Sequence, residues 1–312
     1  MTRPADFDAL ALMQKVERES RLRWQSHLLL GLVSTATVIA LVMMIASART
    51  SATWEGVAIC AAFAALVWFL RAATPGAAAT GFLLTLCLYL FTVEQPNGGC
   101  FHTALLPGLA LFILAFAATR FRRSQKERTG LAESRRGRRA SQVAANMGAA
   151  AIAAIAVPFL AASGALSRPG STSQFSTLAP ILCAPFVAAL AEAAADTVSS
   201  EIGQAIGGSP RLITSLQRVP PGTDGAISVA GTLAGLIAAA TVILIAIPTL
   251  RLNWQQAAVA WGAAVAGLFA DTLLGATLER RGSLNNDSVN FISTSLAALI
   301  PAALILIGTL SL

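Results

Sequence analysis

The chain has 312 residues, 55% of them hydrophobic and only 12% charged, with a formal net charge of +7 and a mean hydropathy of +0.69. Repeated apolar runs of about 20 residues, the length that crosses a bilayer, read as an all-α fold, a polytopic membrane bundle. No polar stretch is long enough for a separate soluble catalytic domain, so an active site must be built from the helices and their connections.

The first 26 residues are polar and of mixed charge. They lack the short basic region and small-residue cleavage site of a signal peptide, so the first apolar run is expected to be retained. Apolar runs bounded by charge, Pro or Gly then predict membrane segments over 27–47, 53–70, 76–93, 101–119, 142–166, 174–200, 226–247, 255–278 and 288–312, about nine crossings. The third and fourth could pair as a hairpin around Gln95–Gly99, and the sixth carries Pro180 and Pro185 beside Glu192 and Asp196. The chain thus divides into a cytoplasmic segment 1–26, N-terminal helices 27–119, a basic cytoplasmic loop 120–141 and C-terminal helices 142–312. Cys60, Cys87 and Cys183 lie within apolar runs and Cys100 in a loop, which predicts no disulfide or zinc site. His27 and His102 fall at predicted helix ends, where packing is the expected role.

Two stretches carry most of the positive charge, Arg3 to Arg23 and Arg120 to Arg139. Neither is interleaved with aromatic residues in the manner of a single-strand nucleic-acid groove, so no nucleic acid is expected as a partner. Both read as topology signals in contact with anionic membrane lipid. With the N-terminus inside, the cytoplasmic connections hold Arg71, nine basic residues from Arg120 to Arg139, Arg211 with Arg218, and Arg280 with Arg281; the outer ones hold Arg49, Arg168 and Arg251. The expected location is an inner membrane of bacterial type, with loops 120–141, 201–225 and 279–288 on the cytoplasmic face. Ala195-Asp196-Thr197 recurs as Ala270-Asp271-Thr272, which suggests parallel helix–loop–helix repeats in the C-terminal half with a site between them.

Charge inside a bilayer is expensive, at least ~2.5 kcal/mol for a carboxylate near the centre, so acids in these segments point to function. Glu192, Asp196 and Ser199 or Ser200 share a helix face. Two carboxylates on one face repel unless a cation lies between them, and Mg²⁺ suits one or two carboxylates plus phosphate oxygens. The loop 209–225 has two Arg residues, hydroxyls and a Gly-rich end, the makings of an anion cradle. Gly231 and Gly235 are a small-xxx-small pair, expected to pack helices closely. In Asn285-Asn286-Asp287-Ser288-Val289-Asn290 one residue is accounted for by an ordinary N-cap; Asn286 and Asn290 lie one turn apart, suited to a metal, a nucleotide or a phosphate. There is no P-loop, no Gly-x-Ser-x-Gly elbow and no His-Glu-x-x-His helix. What remains is metal-assisted phosphoryl transfer, governed by positioning and charge neutralisation.

Five motifs occur in one order: Arg139-Ala-Ser-Gln142-Val-Ala-Ala-Asn146, Ala195-Asp-Thr-Val-Ser-Ser-Glu-Ile-Gly203, Pro221-Gly-Thr-Asp-Gly-Ala-Ile-Ser228 followed by Gly231-Thr-Leu-Ala-Gly235, Asp271-Thr-Leu-Leu-Gly-Ala276, and Leu284-Asn-Asn-Asp-Ser-Val-Asn290. Together they resemble the integral membrane family that contains the plastid phytyl-phosphate kinases and the animal proteins called transmembrane protein nineteen. The resemblance covers roughly 139–312. It implies a kinase that converts an isoprenoid monophosphate, phytyl or polyprenyl, to the diphosphate with a nucleoside triphosphate such as CTP and a divalent ion, Mg²⁺ with Mn²⁺ as the alternative. Ser199 and Glu279 stand where the family pattern leads us to expect Ala and Gln.

On this reading Asp196, Glu201, Asp271 and Asp287 are the catalytic, metal-holding acids. Arg139, Arg211, Thr223 and Ser228 bind phosphates, while Asn146, Asn285, Asn286 and Asn290 orient them. The acceptor is already an oxyanion, so no strong general base is required. Two alternatives stay open. A secondary transporter or scramblase would use the buried acids and a Pro-broken sixth helix for alternating access. A lipid-phosphate cytidylyltransferase would use the same groups but release pyrophosphate.

Overall fold

The computed structural model describes Glu17 and residues 20–47, 51–93, 100–162 and 175–307. The Gln95–Gly99 turn and the basic residues Arg3, Arg49 and Arg168 lie outside them. In chain order the helices are α1 (Arg23–Ser47), α2 (Ser51–Phe69), α3 (Pro75–Thr92), α4 (Leu105–Arg120), the short α5 (Arg123–Arg128), α6 (Ala140–Ala162), α7 (Phe175–Ile206), α8 (Val229–Leu250), α9 (Trp254–Leu274) and α10 (Asn286–Leu306). A single antiparallel pair, β1 (Arg211–Leu212) with β2 (Ala226–Ile227), is the sheet structure among the described residues.

Helix starts are set locally. Thr74 accepts from the Ala77 N–H ahead of Pro75, Ser228 from the Gly231 N–H, and Asn253 and Gln256 form a reciprocal capping box. Among the described residues five helices are long and apolar enough to cross a membrane: Arg23–Ala46, Leu182–Ile206, Val229–Leu250, Trp254–Glu279 and Asn286–Leu306. Four shorter apolar helices, Thr53–Phe69, Pro75–Leu90, Leu105–Arg120 and Ala140–Ala156, fall on the remaining expected runs.

The sixth run departs from expectation. α7 continues past Ser200 to Ile206 and is not broken at Pro180 or Pro185. Proline is tolerated in a membrane helix whose neighbours hold the backbone in place. Those neighbours are α4, α6, α8, α9 and α10, and 89% of the Leu182–Ile206 window is buried, against 28–39% for the other four long helices. α7 is therefore the central post of the bundle, and small side chains such as Ala188, Ala191 and Ala194 let its neighbours approach.

The closest approach is to α8. A Cβ on Gly231 would stand 2.6 Å from the Ser199 carbonyl oxygen, and one on Gly235 2.8 Å from that of Ala195. These glycines are packing residues, as their spacing suggested. Gly235→Leu is expected to push α8 off α7 and to lower stability by roughly 2 kcal/mol, measurable as earlier loss of the folded fraction on denaturant titration in detergent.

The connections gather at one end. Arg138 N–H donates to Ala72 O (2.9 Å) and Thr74 N–H to Arg138 O (3.0 Å), joining the 70–75 turn to the basic loop. Gln25 Nε2 donates to Ser283 O (2.9 Å), bringing the start of α1 to the 279–285 turn. The connections expected to share a face are thus neighbours in space.

Candidate functional site

At that end a polar cavity of about 280 Å³ is walled by α6, α7, α9, the start of α10, the basic loop and the 207–228 loop. Its floor is the Asp196–Asp271 pair. The two carboxyl groups lie within hydrogen-bonding reach of each other across the α7–α9 contact, and the Ser293 hydroxyl donates to Asp271 Oδ1 at 3.3 Å. Below them Glu192 is buried among the helices, with Asp196 and Ser293 as its polar surroundings and neither oxygen within ordinary hydrogen-bond geometry of a partner. Its stem fits against bare backbone, since a Cβ on Gly267 would stand 2.6 Å from Glu192 Cγ.

Amides line one wall. Asn290 Nδ2 donates to Asn146 Oδ1 (2.9 Å), linking α10 to α6, and Asn286 stands one turn before Asn290. Arg138 is the cation facing Asp196, and its guanidinium donates to Thr197 Oγ1 at 3.5 Å. It is aimed there by the turn before it: Gly137 has φ +80°, and a Cβ would collide with the Ala72 backbone.

The 207–228 loop closes the mouth. Thr223 and Ser228 line the cavity, and the β1–β2 pair holds the loop's two ends together. Gly225, at φ +74°, lies directly on the backbone of Ala276. Ala276 belongs to a wide helical turn, Gly275–Glu279, that ends α9; such turns carry i→i+5 bonds and recur at functional sites.

The structure brings eight of the residues singled out in the sequence onto this cavity: Asn146, Asp196, Glu201, Thr223, Ser228, Asp271, Asn286 and Asn290. Glu201 is at the rim and already engaged. Lys126 Nζ donates to its Oε2 and to the carbonyls of Ala118 (3.1 Å) and Thr119 (2.9 Å), and Thr119 Oγ1 donates to its Oε1 (3.1 Å). All three ammonium hydrogens therefore have acceptors.

Four others lie away from it. Arg139 is exposed, and the cavity arginine is its neighbour Arg138. Arg211 donates to Leu216 O (2.7 Å) within its own loop. Asn285 caps α10 and donates to Leu22 O and Ser26 Oγ, and Asp287 accepts from Ser26 Oγ at 2.6 Å. These last two tie α1 to α10. Among the described residues no group of three or more His, Cys, Asp and Glu side chains could hold a metal ion, which leaves the Asp196–Asp271 pair as the candidate. Two carboxylates with room for water and phosphate oxygens are the ligand set Mg²⁺ commonly takes.

Residues 58–298 match a family model described as Integral membrane protein DUF92. The chain belongs to this family. It is 34% identical over 194 residues to Protein VTE6, chloroplastic, of Arabidopsis thaliana, a match covering 61% of this chain and 55% of that protein. It is 43% identical over 117 residues to an uncharacterised membrane protein of Methanocaldococcus jannaschii, covering 37% of this chain and 48% of the relative. To one of Synechocystis it is 34% identical over 194 residues, covering 62% and 70%. The match thus spans about half the length of the first two relatives. No solved structure matches.

Lys126→Met would leave Glu201 buried with its charge uncompensated, and breaking such a pair from one side costs roughly 3–5 kcal/mol. Thermal unfolding in detergent is expected to show that loss, with much of it recovered in the Lys126→Met, Glu201→Leu double variant.

Proposed function

We propose that this protein is a membrane-embedded isoprenoid monophosphate kinase that passes the terminal phosphoryl group of a nucleoside triphosphate to a lipid monophosphate. The observation that carries the proposal is the facing of Asp196 and Asp271 in a polar cavity at one end of an apolar bundle, with Arg138 and paired amides beside them. Membership of the integral membrane family and similarity to the chloroplast protein VTE6 support it, as does the motif resemblance to the family of the plastid phytyl-phosphate kinases. On this reading the protein crosses the membrane nine times with its N-terminus and the cavity mouth in the cytoplasm. A lipid acceptor then keeps its chain in the bilayer and its headgroup where nucleotide is available.

Asp196 and Asp271 would hold Mg²⁺, which when bound neutralises phosphate charge. Arg138 supplies a fixed cation for phosphate oxygens, and its planar fork suits them. Asn146, Asn286 and Asn290 offer amide donors that orient the two phosphates toward each other. Thr223 and Ser228, with the N–H groups of the Gly-bearing loop, cover the donor side. The acceptor oxygen is anionic, so no protein group has to remove a proton from it. Catalysis is positioning and charge compensation, as phosphoryl transfer requires.

The test is mass spectrometry of lipid products after the purified protein is incubated with Mg²⁺, phytyl or geranylgeranyl monophosphate, and each nucleoside triphosphate in turn. A lipid diphosphate with release of nucleoside diphosphate is expected. A nucleotidyl lipid with pyrophosphate would make the protein a nucleotidyltransferase, and absence of product from folded protein would favour transport. Asp271→Asn and Asp196→Asn are each expected to insert normally and to lose turnover.

A further inference from the structure

The polar cavity is not isolated. Glu133, Arg138 and Asn146 also line a second cavity that is overwhelmingly apolar and runs between α2, α3, α4 and α6. Its walls include Phe63, Val67, Gly81, Phe112, Phe116 and Met147. At its far end Phe63, Thr85 and Gly108 are shared with a third, almost wholly apolar cavity that reaches Phe101 and Leu109. Through these shared walls the three cavities follow one another from the carboxylate pair along the α2–α4 gap, and we read them as one path.

The packing makes the gap. α2 leans on α3, while α4 leans on α7 and α8, and Phe63 meets Phe112 edge to face, with ring centroids 5.1 Å apart. The charged part of its lining, Arg71, Arg120, Arg123, Glu133 and Arg138, belongs to the basic-loop end, and farther along Thr85 spends its hydroxyl on Gly81 O at 2.7 Å. A path with a cation and amides at one end and apolar, aromatic walls beyond it matches a molecule with a phosphate head and a long hydrocarbon tail.

We propose that this path holds the prenyl chain of the lipid monophosphate, with its first isoprene units beside Phe112 and Phe116 and its end beyond Phe63 and Gly108, so that the Phe63–Gly108 junction sets the chain length accepted. The proposal rests on the reading of the substrate as a lipid phosphate. Gly108 lets it be tested without threatening the fold. It lies in α4, a Cβ there meets nothing within 4 Å, and replacing a helical glycine does not harm the helix. A larger side chain at this position enters the path.

The experiment uses the full chain in detergent and has two parts. Geranylgeranyl monophosphate bearing a terminal diazirine is photolysed on the protein, and the adducts are mapped by mass spectrometry. Adducts around Phe63 of α2, Leu109 of α4 and Phe101 in the turn before α4, displaced by unlabelled geranylgeranyl monophosphate, are expected. Adducts spread over the outer faces, or not displaced, would overturn the proposal and make the path a resting place for bulk lipid. Turnover is then compared for geranylgeranyl and geranyl monophosphates. Gly108→Leu is expected to lower the ratio of long-chain to short-chain turnover by roughly tenfold or more. Gly31→Leu, on α1 and likewise with nothing within 4 Å of its Cβ, leaves the ratio unchanged; an unchanged ratio in Gly108→Leu would overturn the proposal. Displaceable labelling of the path in a protein that forms no diphosphate would overturn the kinase reading alone, whereas diphosphate formation with no labelling of the path would overturn the path alone.

Discussion

Two carboxylates set against each other at one end of an apolar helical bundle are the constraint to which the rest of the structure answers. Asp196 and Asp271 come from different helices and repel each other when ionised, and Arg138 faces Asp196. In surroundings of low dielectric such a pair is held together by the rigidity of what bears it and by a counter-charge brought in from outside. α7, enclosed by five neighbours, supplies the rigidity. Glu192, one turn deeper in the helix than Asp196, lies buried beside the pair, and Gly267 leaves the room it occupies.

Several groups around the pair have a role at the cavity or in holding it. Lys126 clamps the basic loop under the end of α7 by taking up Glu201 and two α4 carbonyls. Gly137 and the Ala72–Arg138 bond turn Arg138 inward. Gly225, seated on the wide turn after α9, holds the 221–228 stretch against the cavity. Asn285 and Asp287 are spent on α1, which fixes the start of α10 so that Asn286 and Asn290 face the cavity. The same chain thus divides one cluster of amides and acids between structure and site.

Much of this was legible in the sequence, because a bilayer imposes a length and a polarity that show directly in the residues. The order and approximate limits of the apolar helices and the packing glycines of α8 could be read that way. Helical spacing also paired Asn286 with Asn290. What escaped depends on contacts distant in sequence. Arg138 and Arg139 are indistinguishable locally, and only the pairing with Ala72 and Thr74 decides which points inward. Lys126 looked like one of nine topology charges, although it is the only lysine between Arg120 and Arg139, a hint that a compact ammonium was needed there. Arg211 sits in the anion-cradle loop by sequence yet bonds that loop's own backbone. The continuity of α7 through its prolines follows from its neighbours, which no local pattern records.

The central claim is that Asp196 and Asp271 act together on one divalent cation. The most direct measurement is electron paramagnetic resonance of Mn²⁺ added to purified protein, compared among the parent chain, Asp271→Asn and Asp287→Asn. The account predicts a bound Mn²⁺ signal, displaced by Mg²⁺, that is lost in Asp271→Asn and kept in Asp287→Asn. Undiminished binding in Asp271→Asn would contradict it.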